Sequence, residues 1–382
     1  MLASQVESFR SCFEVVEEPR VAGRCAHPLE TILFLVVAAV ISGADGPADI
    51  EDFGKEKQEW LEQFVAFPAG IPSHDTIGRL LALIAPKSLQ DALLRWIADL
   101  RKQRSTDSGS GKEPIVVAID GKTARGSYTD AGKTNALHII SAWATDHGVT
   151  LGQCSVDSKS NEITAIPELL KSMDLRNTIV TLDALGSQKS IAKQIVNGKG
   201  DYTLAIKGNH PKLHEALQEV FTAAHDSGLV KAGMRSRTST EKNRNRFETR
   251  WYTVGPIPEH LRPLTKGWAN ARSIGQAMIM TVIGETETTE VRYYISSRPP
   301  KVSEFSQSVR KHWGVESMHW ILDVVFGEDS SRIRTKNATA NMSFVRRFVT
   351  SLLKQDSSRS SLKAKRKRAG WNTDFLEKIM FG

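Results

Sequence analysis

Two stretches constrain what this chain can fold into more than any other feature: PIVVAIDGKTARGS at 114–127 and TIVTLDALGSQ at 178–188. Each opens as a short apolar run rich in β-branched residues, continuous rather than alternating, which is the pattern of a strand covered on both faces. Each run ends on a carboxylate, Asp120 or Asp183, with glycine close behind. After the second, Gly186 and Ser187 turn the chain into the helical pattern SQKSIAKQIV. Open α/β sheets place their ligand sites at the carboxyl ends of strands. Taken singly, either aspartate reads as the cap of its turn. Taken together, on neighbouring strands about 4.8 Å apart, the two could share one cation, and hard oxygen ligands favour Mg²⁺ or Mn²⁺. The residues by themselves leave both readings open.

The rest of the 382-residue chain is organised around these strands. The first hundred residues read as helices: HPLETILFLVVAAVISGA, DIEDFGKEKQEWLEQFV, SHDTIGRLLALIA and SLQDALLRWIADLRKQ. Ser73 or Asp75 suits the N-cap of the third, and Ser88 that of the fourth. Strands follow at 115–120, 136–145 and 149–157, then a proline-started helix IPELLKSMD, the strand ending at Asp183, and DYTLAIKGN at 201–209. That order predicts a mixed sheet whose later strands are parallel. Between 236 and 300, after the basic run RSRTSTEKNRNR, the segments FETRWYTV, QAMIMTVIGET and EVRYYISS read as strands with little helix between them. The expected division is a helical domain over 1–105, a polar linker over 106–113, and an α/β core over 114–235. A β-rich insertion over 236–300, the last core helices over 301–350 and a basic tail over 351–382 complete it.

Lys plus Arg number 51 against 43 Asp plus Glu, a formal charge of +8 that suits a polyanionic partner without requiring one. The three cysteines form no CxxC pair, which argues against a zinc ribbon or a disulfide framework and suits a reducing cytoplasm. The longest apolar run, ILFLVVAAVISG at 32–43, falls short of the roughly 20 residues that span a bilayer. It reads as a core helix, and no membrane partner is expected. GSYTDAGKT misses the P-loop spacing and precedes a strand where a helix is needed. ESMH has no second ExxH to complete a di-metal bundle site, and His138, His312 and His319 lack zinc spacing. What survives is VRKHWGVESMHWILDVVFGED at 309–329, where Glu316 lies close to the same helical face as His312, His319 and Trp320. A surface pair with Arg310 or Lys311 is the alternative use of Glu316.

The order and wording of GIPSHDTIGRL, VVAIDGKTARGS, DSKSNEITAIPELL, IVTLDALGSQ, DYTLAIKGNH, RFETRWY, YYISS and RKHWGVESMHWILDVVFGED resemble the DDE transposases of bacterial insertion sequences, in the group of H-repeat-associated proteins. The resemblance runs from about residue 10 to residue 350. It implies a ribonuclease H-like mixed sheet with a β-rich insertion, preceded by a helical DNA-binding domain. It makes Asp120, Asp183 and Glu316 the catalytic triad, holding two Mg²⁺ or Mn²⁺ ions for strand cleavage and strand transfer. The implied partner is double-stranded DNA, both inverted-repeat ends and target, gripped by a homodimer in the bacterial cytoplasm. Lys122, Arg125, Lys159, Asn161 and Lys207 are then expected at DNA. Lys363, Lys365, Arg366, Lys367 and Arg368, the run KAKRKR, form a phosphate patch. SHDTIGRLLALI is a possible recognition helix, although a packing helix suits its single arginine better. The wider superfamily carries an arginine four residues before the glutamate and a lysine seven after it. Here those places hold His312 and Asp323, so Arg310 and His312 are the expected substitutes. Two other readings stay open: a DNA-binding remnant that no longer transposes, and a metal-dependent nuclease that cuts without joining.

Overall fold

The computed structural model describes residues 2–21, 23, 25–104, 113–128, 136–156, 162–243 and 245–382. Its chain begins with helices α1 (Leu2–Phe13), α2 (Leu29–Ser42), α3 (Pro47–Glu56), α4 (Gln58–Leu61), α5 (His74–Leu83) and α6 (Pro86–Arg104). Then come β1 (Ile115–Ala124), β2 (Leu137–Ala144), β3 (Val149–Val156), α7 (Glu162–Lys171), β4 (Thr178–Leu182), α8 (Lys189–Asn197), β5 (Asp201–Ile206) and α9 (Pro211–Ser227). The segment β6 (Arg235–Asn243), β7 (Arg246–Pro256), α10 (Arg262–Thr265), β8 (Ser273–Ile283) and β9 (Thr286–Ser296) precedes the closing helices. These are α11 (Val302–His312), α12 (Gly314–Val324), α13 (Lys336–Gln355), α14 (Leu362–Trp371) and α15 (Thr373–Phe381).

The apolar run of α2 is buried on every side, with Phe34 against the rings of Phe9, Phe64 and Phe381. It is the centre of the helical layer, and no single helix among the described residues is long and apolar enough to cross a membrane. Ser73 caps α5 by accepting the Thr76 N–H, and α5 buries Ile77, Leu80 and Leu81 while packing on α13 and α3. The fourth predicted helix starts at Pro86, ahead of the expected Ser88, because a proline without an N–H is tolerated in a first helical turn. Of the expected linker, residues 106–112 lie outside the described residues.

One nine-stranded sheet runs β3-β2-β1-β4-β5-β9-β8-β7-β6. β1, β4 and β5 are parallel, β2 is antiparallel to both β1 and β3, and β9 is antiparallel to β5. The order 3-2-1-4-5 with its antiparallel second strand is ribonuclease H-like. The β-rich segment continues this same sheet, since β9 pairs with β5 from Thr203–Ser296 to Ile206–Tyr293. β1 does not stop at Asp120 as its apolar run suggested: β2 pairs with it through Ala124–Leu137. α7 likewise starts before its proline, carrying Pro167 inside the helix. β6 showed no strand pattern because it is exposed on both faces, so neither face needed apolar residues.

Side chains alternate across the sheet. Val117, Ile119, Val180 and Leu182 enter the core shared with α7, α8 and α9. Ala118 and Thr181 face the other way, where α11 packs on β1 and β4, and α12 on β1. Asp120, within β1, and Asp183, just after β4, belong to that second face.

Candidate active site

The parallel pairing of β1 with β4 ends at Ile119–Leu182. Asp120 and Asp183 are each the next residue, so they stand side by side where the two strands part. Asp183 also caps its own turn: its Oδ1 accepts the Gly186 N–H at 3.0 Å, and its carbonyl accepts the Ser187 hydroxyl at 2.7 Å. The turn reading and the site reading are therefore compatible. Glu316, in the first turn of α12, completes the trio, and all three line one cleft of about 580 Å³ together with Lys207, Arg292 and His312.

The electrostatics of this cleft are those of crowded acids. Burial pushes Asp120 up to about 7, and the charges of Asp183, Glu162 and Glu316 add to the rise against one N–H from Gly121. Burial likewise raises Glu316, helped by Glu290 and opposed by Arg292. His312 is driven down to about 4 by burial, and its Nδ1 lies 2.9 Å from Thr181 Oγ1. His319, whose Nδ1 is 3.6 Å from Asp120 Oδ2, falls to about 3, by burial first and then by Arg347 and Lys122. Both rings are thus neutral near pH 7 and add no positive charge to the acids. Among the described residues no three His, Cys, Asp or Glu side chains already converge as a metal cluster. The acids share a cleft without closing on a point.

Several residues around the acids were given no role from the sequence. Arg292, in EVRYYISS, lies with its guanidinium 4.1 Å from the centre of the Trp313 ring and donates to Glu290 at 2.8 and 3.1 Å. His138 Nε2 and Glu162 Oε1, 2.6 Å apart and buried, sit behind the strand at Gly121. A Cβ at Gly121 would lie 2.3 Å from His138 Nε2, so only glycine fits after Asp120. The signal was present as the glycine directly after Asp120, but its cause, a buried pair from α7 and β2, is not local.

The cations expected at DNA divide. Arg125 is largely exposed, and Lys207 is exposed on the cleft. Lys363, Lys367 and Arg368 are exposed on α14. Arg310 is half-exposed and held by Glu241 at 2.7 Å. Lys159 and Asn161 lie outside the described residues. Three others point inward. Lys122 is buried, with its ammonium 2.7 Å from Asp323 and 2.7 Å from Asp329. Lys365 donates to the carbonyls of Asp356 at 2.6 Å and Leu353 at 3.1 Å. Arg366 reaches Val40 and Ala44 carbonyls at 3.2 Å each and Asp45 at 3.1 Å, closing the end of α2. The KAKRKR run is therefore no free tail. It is a helix docked on α2 through Arg366 and on the end of α13 through Lys365, because each of these cations finds buried acceptors there.

Comparison with known proteins matches both parts of the chain to families. Residues 10–97 match the family described as DDE_Tnp_1-associated, and residues 111–352 match the transposase DDE domain. "Putative transposase YncI" of Escherichia coli O157:H7 is 37% identical over 380 residues, covering 98% of this chain and 95% of that protein. "H repeat-associated putative transposase YhhI" of Escherichia coli K12 is 36% identical over 380 residues, covering 96% of each. The solved synaptic complex of piggyBac transposase with hairpin DNA overlaps more loosely, at TM-score 0.37 and 11% identity over 99% of this chain and 78% of that chain. With both parts of the chain matched in order, and relatives aligned nearly end to end, this protein belongs to the DDE transposases, in their H repeat-associated group.

Proposed function

We propose that this DNA transposase cleaves the ends of its element and joins them to target DNA, with Asp120, Asp183 and Glu316 as its catalytic acids. The observation that carries the reading is the register: the β1–β4 pairing ends one residue before each aspartate, and both acids line the cleft that Glu316 enters from α12. The donor set suits divalent metal. Three carboxylates, one pushed up to about 7 beside the others and flanked by neutral histidines, gain most from a hard cation. Asp120, Asp183 and Glu316 would hold Mg²⁺ or Mn²⁺. When bound, two such ions supply Lewis-acid stabilisation and a more acidic water.

The chain's own contribution is positioning, which is most of what phosphoryl transfer needs. Water attacks a phosphodiester at the element end, the 3′-oxygen leaves, and a 3′-hydroxyl results. That hydroxyl then attacks a target phosphodiester and displaces the target's 3′-oxygen. Neutral His312 can hydrogen-bond in the cleft without adding charge. Arg292 offsets the charge of Glu316 from the side of β9, in a molecule where no arginine stands four residues before that glutamate. Lys207 and Arg125 meet backbone phosphates, and the exposed cations of α14 extend the track. Two copies holding two inverted-repeat ends complete the assembly.

A cleavage and joining assay with Mg²⁺, on DNA carrying the inverted repeats that flank the coding sequence, tests this. Cleavage and joining are expected from the parent, with both lost in Glu316→Gln while folding and end binding persist. Asp323→Asn should lose less, since Asp323 faces Lys122. Activity in Glu316→Gln with none in Asp323→Asn would move the third acid two turns along α12. Cutting without joining would indicate a nuclease, and binding without cutting a remnant.

A further inference from the structure

Behind the cleft lies a group of charges around buried Lys122 and Glu328 that the cleavage chemistry does not use. Lys122 follows Asp120 by two residues on β1, so both side chains leave the same face. Its side chain is 9% exposed, and its Nζ lies 2.7 Å from Asp323 Oδ1, 2.7 Å from Asp329 Oδ1 and 3.6 Å from Glu328 Oε2. Asp323 stands about two helical turns after Glu316 on the same helix, α12. Glu328 and Asp329 open the turn that follows. That turn is pinned in its own right: the Ser343 hydroxyl donates to Glu328 Oε1 at 2.6 Å, and Arg347 Nη1 lies 3.3 Å away. It also presses on the strand. A Cβ on Gly126 would lie 2.1 Å from the Ser331 carbonyl, so ARGS and EDSS can touch only through glycine.

We propose that Lys122 is a positioning residue, a bridge from β1 to α12 that sets where Glu316 stands relative to Asp120. Asp120 and Lys122 share one rigid strand, and Glu316 and Asp323 share one rigid helix. The ammonium between Lys122 and Asp323 ties the second member of each pair, and so fixes the distance between the first. Without it, Asp323 would face Glu328 and Asp329 with only Arg347 beside Glu328 and Arg125 3.7 Å from Asp329, and the end of α12 would be pushed away from β1. The tilt would reach Glu316 along the helix. This inference rests on the triad reading above.

Mn²⁺ titration of the full-length protein, by calorimetry and by the electron paramagnetic resonance spectrum of the bound ion, tests it. Lys122→Met should weaken Mn²⁺ binding about 10- to 100-fold and alter the spectrum, as loss of a group that orients a metal ligand does. Asp323→Asn, which leaves Lys122 paired with Asp329 and spares the fold, should weaken binding in the same direction by a smaller factor. Circular dichroism at the titration temperature selects folded samples. A merely structural lysine would lower the melting temperature and leave affinity and spectrum alone. Affinities within twofold of the parent, in whichever of the two variants is folded, overturn the proposal while the triad reading stands. A parent that binds no Mn²⁺, or binds it equally well as Asp120→Asn/Asp183→Asn, overturns both.

Discussion

Two trios of carboxylates adjoin β1, and they differ in what neutralises them. Asp323, Glu328 and Asp329 gather around the ammonium of Lys122, with Arg347 beside Glu328. Glu328, although fully buried, is held below its usual range by Arg347, Arg346 and Lys122 against the pull of burial. Asp120, Asp183 and Glu316 instead line one cleft with a neutral histidine 3.6 Å from Asp120, and Asp120 rises to about 7. Two residues along one strand separate an acid group gathered on a lysine from one that, in the proposed function, takes a cation from solution.

The comparison breaks most decisively at the metal. Calorimetry should show Mg²⁺ or Mn²⁺ binding in the parent and none in Asp120→Asn/Asp183→Asn, while Ca²⁺ binds the parent without supporting cleavage because it tolerates looser geometry. Retained binding in the double variant would mean that the wrong trio has been assigned.

The next largest effect has opposite signs on the two trios. In metal-free protein Lys122→Met should cost roughly 1–3 kcal/mol in denaturant unfolding, since it takes a cation from buried Glu328, which keeps Arg347, and from the partly exposed Asp323 and Asp329. Asp120→Asn should stabilise instead, by roughly 1–3 kcal/mol near pH 8, after allowing for partial exposure. The sign follows from protons. A folded pKa of about 7 lies above the unfolded value, so the folded state binds more protons between about pH 4 and pH 7. The Asp120 contribution is thus full below pH 4 and lost as pH rises to 7. Unfolding curves of Asp120→Asn should lack that slope, and the parent's slope should flatten when Mg²⁺ is added.

The smallest effect tests the same contrast within α14, where Lys365 and Arg366 are internal and Lys363, Lys367 and Arg368 face outward. Replacing the three outward cations by alanine should lower the slope of log affinity against log salt by up to about 3 in DNA binding, with folding intact. Arg366→Ala should unfold the helix from α2 and blur the comparison, as would deleting residues 357–382. An unchanged slope in the triple variant would make the outward face ordinary solvated surface.

How much of this was legible depended on how local the signal was. The strands that carry Asp120 and lead to Asp183 could be read because an apolar, β-branched run closed by an acid is written in adjacent residues. The helices from α2 to α6 were visible as apolar runs with their caps, whereas α1 was not read, and the ordered motifs pointed to the family and to Glu316 on a helix. β6 was invisible, since an edge strand exposed on both faces has no reason to carry a pattern. The continuation of the sheet from β5 into β9 was equally hidden, because strand pairing joins residues far apart in the chain.

By itself, then, the sequence determined that two strands deliver acids, that a helix carries a third, and that the chain is an α/β protein of the transposase kind. Only the tertiary structure decided which charges face the solvent. Lys122 sits in the same short motif as Asp120 and looks no different from Arg125, yet its partner Asp329 lies 207 residues further along. A lysine's flexible four-carbon stem serves water or a buried carboxylate equally well. The choice is made by what the fold brings within reach, and that distance appears in no stretch of sequence.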